Sequence, residues 1–362
     1  MAGAFSMTGN PSSVHAEGRR ARALVEHARA QVAALVGAAP ENVVFTSGGT
    51  EANNLGLISA RGRDGAGLLV SPTEHPAILA GHASPVRAVE QLGVDAAGIV
   101  VLDDLEARLT QEPGRPTLVA LQVANNETGV VQPVTRAAEL VHRYGGALHS
   151  DAVQAAGRLP LDMGSLGVDS LALSAHKLGG PTGVGALVLA HNRDVGAGLV
   201  AGGGQERGRR GGTENLVGII GFGLAAEIAA RDLASEAVRL ERLRTAVEGL
   251  IRQIAPEAVI FGEARERLPN TVCFAIRGLK AETALIALDL EGIAVSSGAA
   301  CSSGKVRRSH VLEAMGVAPE LAEGAIRVSL GWNSTDADVA RFAGALEKVT
   351  QRLYQRRIER AA

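Results

Sequence analysis

Short, strongly apolar runs alternate with helical patterns along most of this chain, and that alternation limits the folds open to it more than any other feature. Asn42–Thr46, Gly67–Ser71, Thr117–Val123, Ala147–Ser150, Ser170–Ser174 and Gly185–Ala190 each read as a buried strand. Between them lie helical segments such as Glu51–Ala60 and Thr135–Tyr144. A strand that is apolar on both faces must be covered on both sides. With helices as the connections, the expected result is an α/β fold around a largely parallel sheet. The order of the strands in space is not legible in the sequence. Upstream, Ser13–Val36 reads as the first helix, with Ser12 or Ser13 as its N-cap and Gly37 suited to its end.

A Gly/Arg-rich loop, Ala201–Gly212, precedes two expected helices, Glu214–Arg231 and Ser235–Ile254. The pattern then restarts with Asn270–Ile276, Ala281–Glu291, Ile293–Ser297, Val311–Met315 and Ala325–Leu330, and closes with a helix from Asp336. We therefore expect a large domain over 10–234 and a smaller C-terminal α/β domain over 235–362, with residues 1–9 packed on the latter. Hydrophobic residues make up 46% of the chain, which is enough for packed cores in both. The net charge of −2, without a long basic or acidic run, argues against a nucleic-acid or membrane-surface partner. The start of the chain lacks the basic and apolar segments of an export signal. With only Cys273 and Cys301 present, a disulfide scaffold is excluded as the organising device, and a reducing cytoplasm with two free thiols is the expected setting.

Lysine is scarce: Lys177, Lys280, Lys305 and Lys348 are the only four, against 32 arginines. Lys177 ends an apolar strand in Ser174-Ala175-His176-Lys177 and runs into Gly179-Gly180. The carboxyl end of a strand is the usual ligand crevice of an open α/β sheet, and desolvation there would make the amine a usable nucleophile toward a carbonyl cofactor. Asp151 ends another apolar run. A carboxylate in that setting can hold the ring nitrogen of pyridoxal phosphate, and Gln154 can donate to the ring's phenolate oxygen. An Asp at a strand end is, taken alone, more often a helix cap. Thr46-Ser47-Gly48-Gly49-Thr50-Glu51 runs from strand to helix with the glycines and hydroxyl of a phosphate cradle. Gly298–Lys305 superficially resembles a nucleotide phosphate loop, but its glycine spacing is wrong and Val306 replaces the metal-binding hydroxyl.

Cys301 sits in a run of small residues, Ser296-Ser297-Gly298-Ala299-Ala300-Cys301-Ser302-Ser303-Gly304, followed by Lys305, Arg307 and Arg308. A thiol beside positive charge is expected to be more acidic and more reactive than an ordinary one. Cys273, in the strand-like Thr271-Val272-Cys273-Phe274, reads as core.

Taken in order, these segments resemble the class V aminotransferase group of pyridoxal-phosphate enzymes, and within it the long-loop branch of the NifS/IscS-type cysteine desulfurases. The likeness extends from Asn10-Pro11-Ser12-Ser13-Val14-His15 to about Arg352. It includes Thr73-Glu74-His75, Asn125-Asn126-Glu127, Arg210-Gly211-Gly212-Thr213 and Ile326-Arg327-Val328-Ser329-Leu330-Gly331.

The resemblance implies fold type I and a homodimer with active sites at the subunit interface. It implies that Lys177 holds pyridoxal 5'-phosphate covalently, that Asp151 pairs with its ring nitrogen, and that His75 stacks on the ring and assists proton transfer. Gly49, Thr50, Ser174 and His176 would hold the phosphate, with Thr213 supplied by the other subunit. Gln154 and Asn126 would contact the phenolate oxygen and the substrate side. Arg327, assisted by Asn10, would clamp the substrate carboxylate. Cys301 would take sulfur from L-cysteine as a persulfide, leaving alanine, and would pass it to an acceptor or scaffold protein in iron–sulfur cluster assembly. No resident metal is implied, although Cys301 could transiently ligate a cluster. A selenocysteine lyase or cysteine-sulfinate desulfinase of the same fold, or a non-catalytic sulfur-relay platform, are the alternatives. Family members open with a strand and an Ala-Thr-Thr turn lining the site; from the position of Met1, that segment is expected to be missing here.

Overall fold

The computed structural model describes residues 9–58, 67–80, 89–111, 116–191, 198–298 and 308–361, and the chain forms two compact units. The first comprises the chain to Gly93, Val100–Val123 and Gln132–Leu233; the second takes Val94–Ile99, Ala124–Val131 and everything from Ala234.

In the first unit, seven strands form one sheet: β1 (Val43–Thr46), β2 (Gly67–Val70), β3 (Val89–Gln91), β4 (Thr117–Ala120), β5 (Ala147–Asp151), β6 (Ser170–Ser174) and β7 (Gly185–Leu189). Their order is β1-β7-β6-β5-β4-β2-β3. The run from β6 through β5, β4 and β2 to β3 is parallel, whereas β7 pairs antiparallel with both β6 and β1. The expectation of a largely parallel α/β sheet is met, with antiparallel pairing confined to one end. Strands β1, β2 and β4 to β7 fall where the apolar runs placed them. β3 was not anticipated, because a half-exposed Val-Glu-Gln edge strand carries no buried run to announce it.

Helix Gly49–Ile58 packs Ala52 and Leu55 with Val44, Ala172, Leu187 and Leu189 in one core cluster. Burying each such Leu stabilises the fold by roughly 1.5–3 kcal/mol. The first helix is Ala16–Leu35, and its N-cap is His15, whose Nδ1 accepts from Gly18 N, rather than Ser12 or Ser13. The serines are diverted into a turn closed by Asn10: Ser12 N donates to its Oδ1 and Ser13 N to its carbonyl. Gly37 follows that helix at φ +63°, the left-handed conformation expected of a terminating glycine.

The two helices expected after the Gly/Arg loop are one, Leu216–Ile254, of 39 residues. Nothing in Arg231-Asp232-Leu233-Ala234-Ser235 breaks a helix, so Ser235 lies inside it rather than capping a second one.

The second unit has a four-stranded antiparallel sheet in the order β10-β11-β9-β8, where β8 is Val259–Ile260, β9 Thr271–Ala275, β10 Ser296–Ser297 and β11 Ile326–Ser329. Helices Ala281–Leu290 and Asp336–Ala361 accompany it. Its core joins Val247, Ile251, Val272, Phe274, Ile326, Phe342 and Leu346. No helix among the described residues is long and apolar enough to cross a membrane.

Candidate active site

The sheet of the first unit brings the sequence-marked residues to one edge. Parallel strands end on the same side, so Ser71 (after β2), Leu121 and Gln122 (after β4), Asp151 (on β5) and Ser174 (on β6) all lie at carboxyl ends. Gly185 pairs with both Ser174 and Thr46, which places the end of β1 at the same edge. This is where an open α/β sheet leaves room for a ligand.

Asp151 is buried, and its carboxylate is held from two sides. Oδ1 accepts from Val153 N at 2.8 Å and Oδ2 from Asn53 Nδ2 at 2.7 Å. Burial pushes its pKa up; the Val153 and Asn53 hydrogen bonds oppose this, as do the nearby His75 and Lys177. Asn53 Oδ1 lies 3.0 Å from His149 Nε2, and His149 Nδ1 lies 2.8 Å from Ser170 Oγ. Because an amide oxygen only accepts, His149 carries its proton on Nε2 and receives the Ser170 hydroxyl at Nδ1. Full burial depresses His149 to about 4, so it is a neutral bracket. Gly56 makes room for it: a Cβ there would come within 2.4 Å of the imidazole Cε1.

His75 caps the short helix Pro76–Leu79, its Nδ1 accepting from Ala77 N at 3.0 Å. The neutral ring therefore carries its proton on Nε2. The residues before it in the chain join a buried polar network. Glu74 accepts from Gln122 N at 2.5 Å, Gln122 Nε2 donates to Thr73 O at 2.7 Å, and the Ser71 and Thr73 hydroxyls meet at 2.8 Å. Burial and the neighbouring Asp151 push the Glu74 carboxyl well above the usual range.

Lys177 lies in a 3-10 turn, Ala175–Leu178, directly after β6. Arg158 fixes this turn, donating to the Lys177 carbonyl at 3.0 Å and to the Gln154 carbonyl at 2.6 Å. Burial lowers Arg158 to about 10, which still leaves it charged at neutral pH. Ser174 Oγ sits 2.9 Å from His176 Nδ1, and burial followed by Lys177 lowers the His176 pKa. Gly49 opens the helix that follows β1. A Cβ at this position would lie 2.8 Å from Val153 Cγ2 and 3.3 Å from Ser174 Cβ, so the cradle needs glycine. Gly48 has open space where a Cβ would stand, and Thr50 is exposed beside it.

Gly49, Val153 beside Asp151, Ser174 and His176 thus form a continuous lining, with His75 and Lys177 within electrostatic reach of Asp151. The donor set fits pyridoxal phosphate. A helix start with Gly48, Gly49 and Thr50 suits its phosphate, a clamped buried carboxylate suits its ring nitrogen, and a strand-end amine suits its aldehyde.

The other expected residues have surroundings of their own or fall outside the described residues. Thr213 is exposed after a loop fastened by an Arg210–Glu51 ion pair of 3.0 Å and a buried Arg29–Glu206 pair of 2.7 Å. Asn10 is exposed and engaged in its own turn. Asn126 and Arg327 belong to the second unit, where Arg327 Nη1 donates to the Asn126 carbonyl at 2.8 Å. Cys301 and residues 1–8 lie outside the described residues. Cys273 has no exposed surface, and burial pushes its thiol pKa up.

The sequence reading missed Asn53, His149 and Arg158. Asn53 did leave a trace: it is the one polar side chain among the buried residues of its helix.

The aminotransferase class-V family pattern matches residues 4–342. The chain is 39% identical to the cysteine desulfurase IscS of Dictyoglomus turgidum, over 95% of this chain and 88% of that one. It is 43% identical to a cysteine desulfurase of Cereibacter sphaeroides, over 95% and 89%. Among solved structures, a NifS-like protein from Rickettsia africae superposes with a TM-score of 0.89 at 34% identity, over 97% of this chain and 94% of that one.

Proposed function

The chain belongs to the aminotransferase class-V family, and on that premise we propose that it is a pyridoxal-phosphate cysteine desulfurase that moves sulfur from L-cysteine to Cys301. The observation that supports this most is the convergence of Gly49, Asp151, Ser174 and Lys177 on one sheet edge, with the Asp151 carboxylate clamped by Asn53.

When bound, the cofactor supplies an electron sink for charge developing at the substrate Cα. Gly48, Gly49, Thr50, Ser174 and His176 hold its phosphate, with Thr213 contributed by a second copy of the chain. Asp151 keeps its ring nitrogen protonated, and Gln154 and Asn126 serve the phenolate and substrate sides. Lys177 Nζ would hold its aldehyde, and Lys177 and His75 would serve the proton transfer at the substrate Cα. Arg327, with Asn10, holds the substrate carboxylate. The Cys301 thiolate attacks the substrate sulfur: an S–S bond forms as the C–S bond breaks, and its electron pair stays on carbon, which is protonated to give alanine. The persulfide then passes to an acceptor or scaffold protein for iron–sulfur cluster assembly in the cytoplasm.

The test is direct. Purified holoenzyme with L-cysteine and a thiol reductant should release sulfide and alanine in equal amounts, and Cys301→Ala should lose both. Full sulfide release by Cys301→Ala would exclude the persulfide route.

A further inference from the structure

Glu127 follows Asn125 and Asn126 in the sequence and has no part in the chemistry above, yet only 3% of it is exposed. Its turn is shaped from within: Asn125 Oδ1 accepts from Glu127 N and Thr128 N, both at 2.9 Å, and Gly129 closes it at φ +76°. The carboxylate Oε2 accepts the hydroxyl of Ser309. Ser309 is itself buried and caps helix His310–Ala314, its Oγ accepting from Leu312 N at 3.1 Å. That hydroxyl receives from the helix and gives to Glu127.

Gly298 stands at the other end of the segment 299–307. Its N–H donates to Ala325 O at 3.0 Å. A Cβ on it would lie 3.5 Å from Glu127 Oε2 and 3.6 Å from Ser309 Cβ. The carboxylate oxygen that takes the Ser309 hydroxyl therefore lies on the side of Gly298 where a side chain would project. The next residue back, Asn126, receives Arg327 through its carbonyl, and Arg327 is paired in register with Ser296 and Cys273. Burial lifts the Glu127 carboxyl to about 7, against the Ser309 bond and the Arg327 charge. A group so costly to bury is retained here bonded to Ser309, the cap of the helix that follows the Cys301-bearing segment.

We propose that Glu127 is a positioning residue for sulfur transfer, fastening the start of the helix that follows the Cys301-bearing segment to the turn that also holds Arg327. This rests on the reading of Cys301 as the sulfur acceptor. A thiol that must meet a substrate sulfur in line depends on where its segment is rooted. A displaced root lowers the rate of that meeting without weakening substrate binding.

The experiment compares holoenzyme of the wild type, E127A, S309A, E127Q and C301A on two substrates, L-cysteine and β-chloro-L-alanine. Chloride leaves with its own electron pair and needs no thiolate to receive it. E127A and S309A should lower kcat on cysteine about tenfold, with KM and the turnover of β-chloroalanine held within about twofold. They should also lower the sulfur found by mass spectrometry on the Cys301 peptide after a brief exposure to cysteine. E127Q, whose amide oxygen can still accept the Ser309 hydroxyl, should keep cysteine turnover within about threefold of wild type. Wild-type cysteine turnover in E127A, or an equal loss on both substrates in E127A and S309A, overturns the proposal. If C301A instead desulfurates cysteine as the wild type does, the acceptor reading itself fails, whatever the Glu127 variants do.

Discussion

Asn53 Nδ2 donates to Asp151 Oδ2 at 2.7 Å, and that single bond orients a buried line of four side chains. With its amide hydrogens turned to the carboxylate, Asn53 must present its oxygen to His149, which fixes the imidazole tautomer and turns its other nitrogen to Ser170. Asn53→Ala should therefore destabilise the cofactor-free protein by about 1–3 kcal/mol, since a buried carboxylate and a buried imidazole each lose a partner. Thermal unfolding measures the first effect, and the cofactor dissociation constant should rise with it. An unchanged dissociation constant would show that Asp151 needs no such clamp.

His149 gives the first unit a defined response to acid. Its folded pKa of about 4 lies below the ordinary 6.5, so between these values the unfolded chain binds the extra proton. Its contribution is complete above the unfolded value and is lost as pH falls through about 6.5 toward about 4, amounting to about 3 kcal/mol. His149→Gln should flatten this part of the stability–pH curve in denaturant titrations of the apoprotein. A curve as steep as that of the wild type contradicts the assignment.

Arg158 ties the Gln154 and Lys177 carbonyls together. Arg158→Ala leaves both acceptors without this donor and should weaken cofactor binding about tenfold, equivalent to about 1.4 kcal/mol. Arg158→Lys cannot reproduce the forked geometry and should recover only part of the loss. Equilibrium titration of apoprotein with cofactor separates the three proteins.

Lys177→Ala should abolish both the visible absorption of lysine-bound cofactor and sulfide release from cysteine. Cofactor held through its phosphate alone should still be recoverable from the purified variant by denaturation. Retention of the wild-type spectrum would assign the amine wrongly.

Gly185→Ala should be among the costlier single-methyl additions in the first unit. The new Cβ would lie 2.5 Å from the Gly48 carbonyl carbon and 2.7 Å from Leu173 O, and backbone on both sides cannot step away. A loss of about 1–3 kcal/mol is expected, read as a lowered midpoint in urea. Gly249→Ala, in a helix interior with nothing beyond the adjoining helix backbone within 4 Å of the new methyl, should instead be neutral or stabilising.

The strand-end residues were legible because their signals are local. Lys177 follows an apolar run and precedes glycines, Asp151 ends another, and Gly48-Gly49-Thr50 joins a strand to a helix. The partners that orient them were not legible. Asn53 and Asp151 are 98 positions apart and Glu127 and Ser309 are 182 apart, so no window of sequence contains either pair. The N-cap of the first helix was misread for a related reason: Ser12 and Ser13 have capping chemistry, but Asn10 had already committed them to a turn.

The sequence alone determined that apolar strands would alternate with helices, which residues stand where strands stop, and which small residues leave room for a ligand. These follow from side-chain period, burial and backbone sterics, all of which act between near neighbours. Tertiary structure alone decided the strand order, the antiparallel placement of β7 between β6 and β1, and the choice of Asn53, His149 and Arg158 as the groups that hold the site. A buried polar group takes its partner from whatever packing brings within hydrogen-bond reach, and distance along the chain has no bearing on that reach.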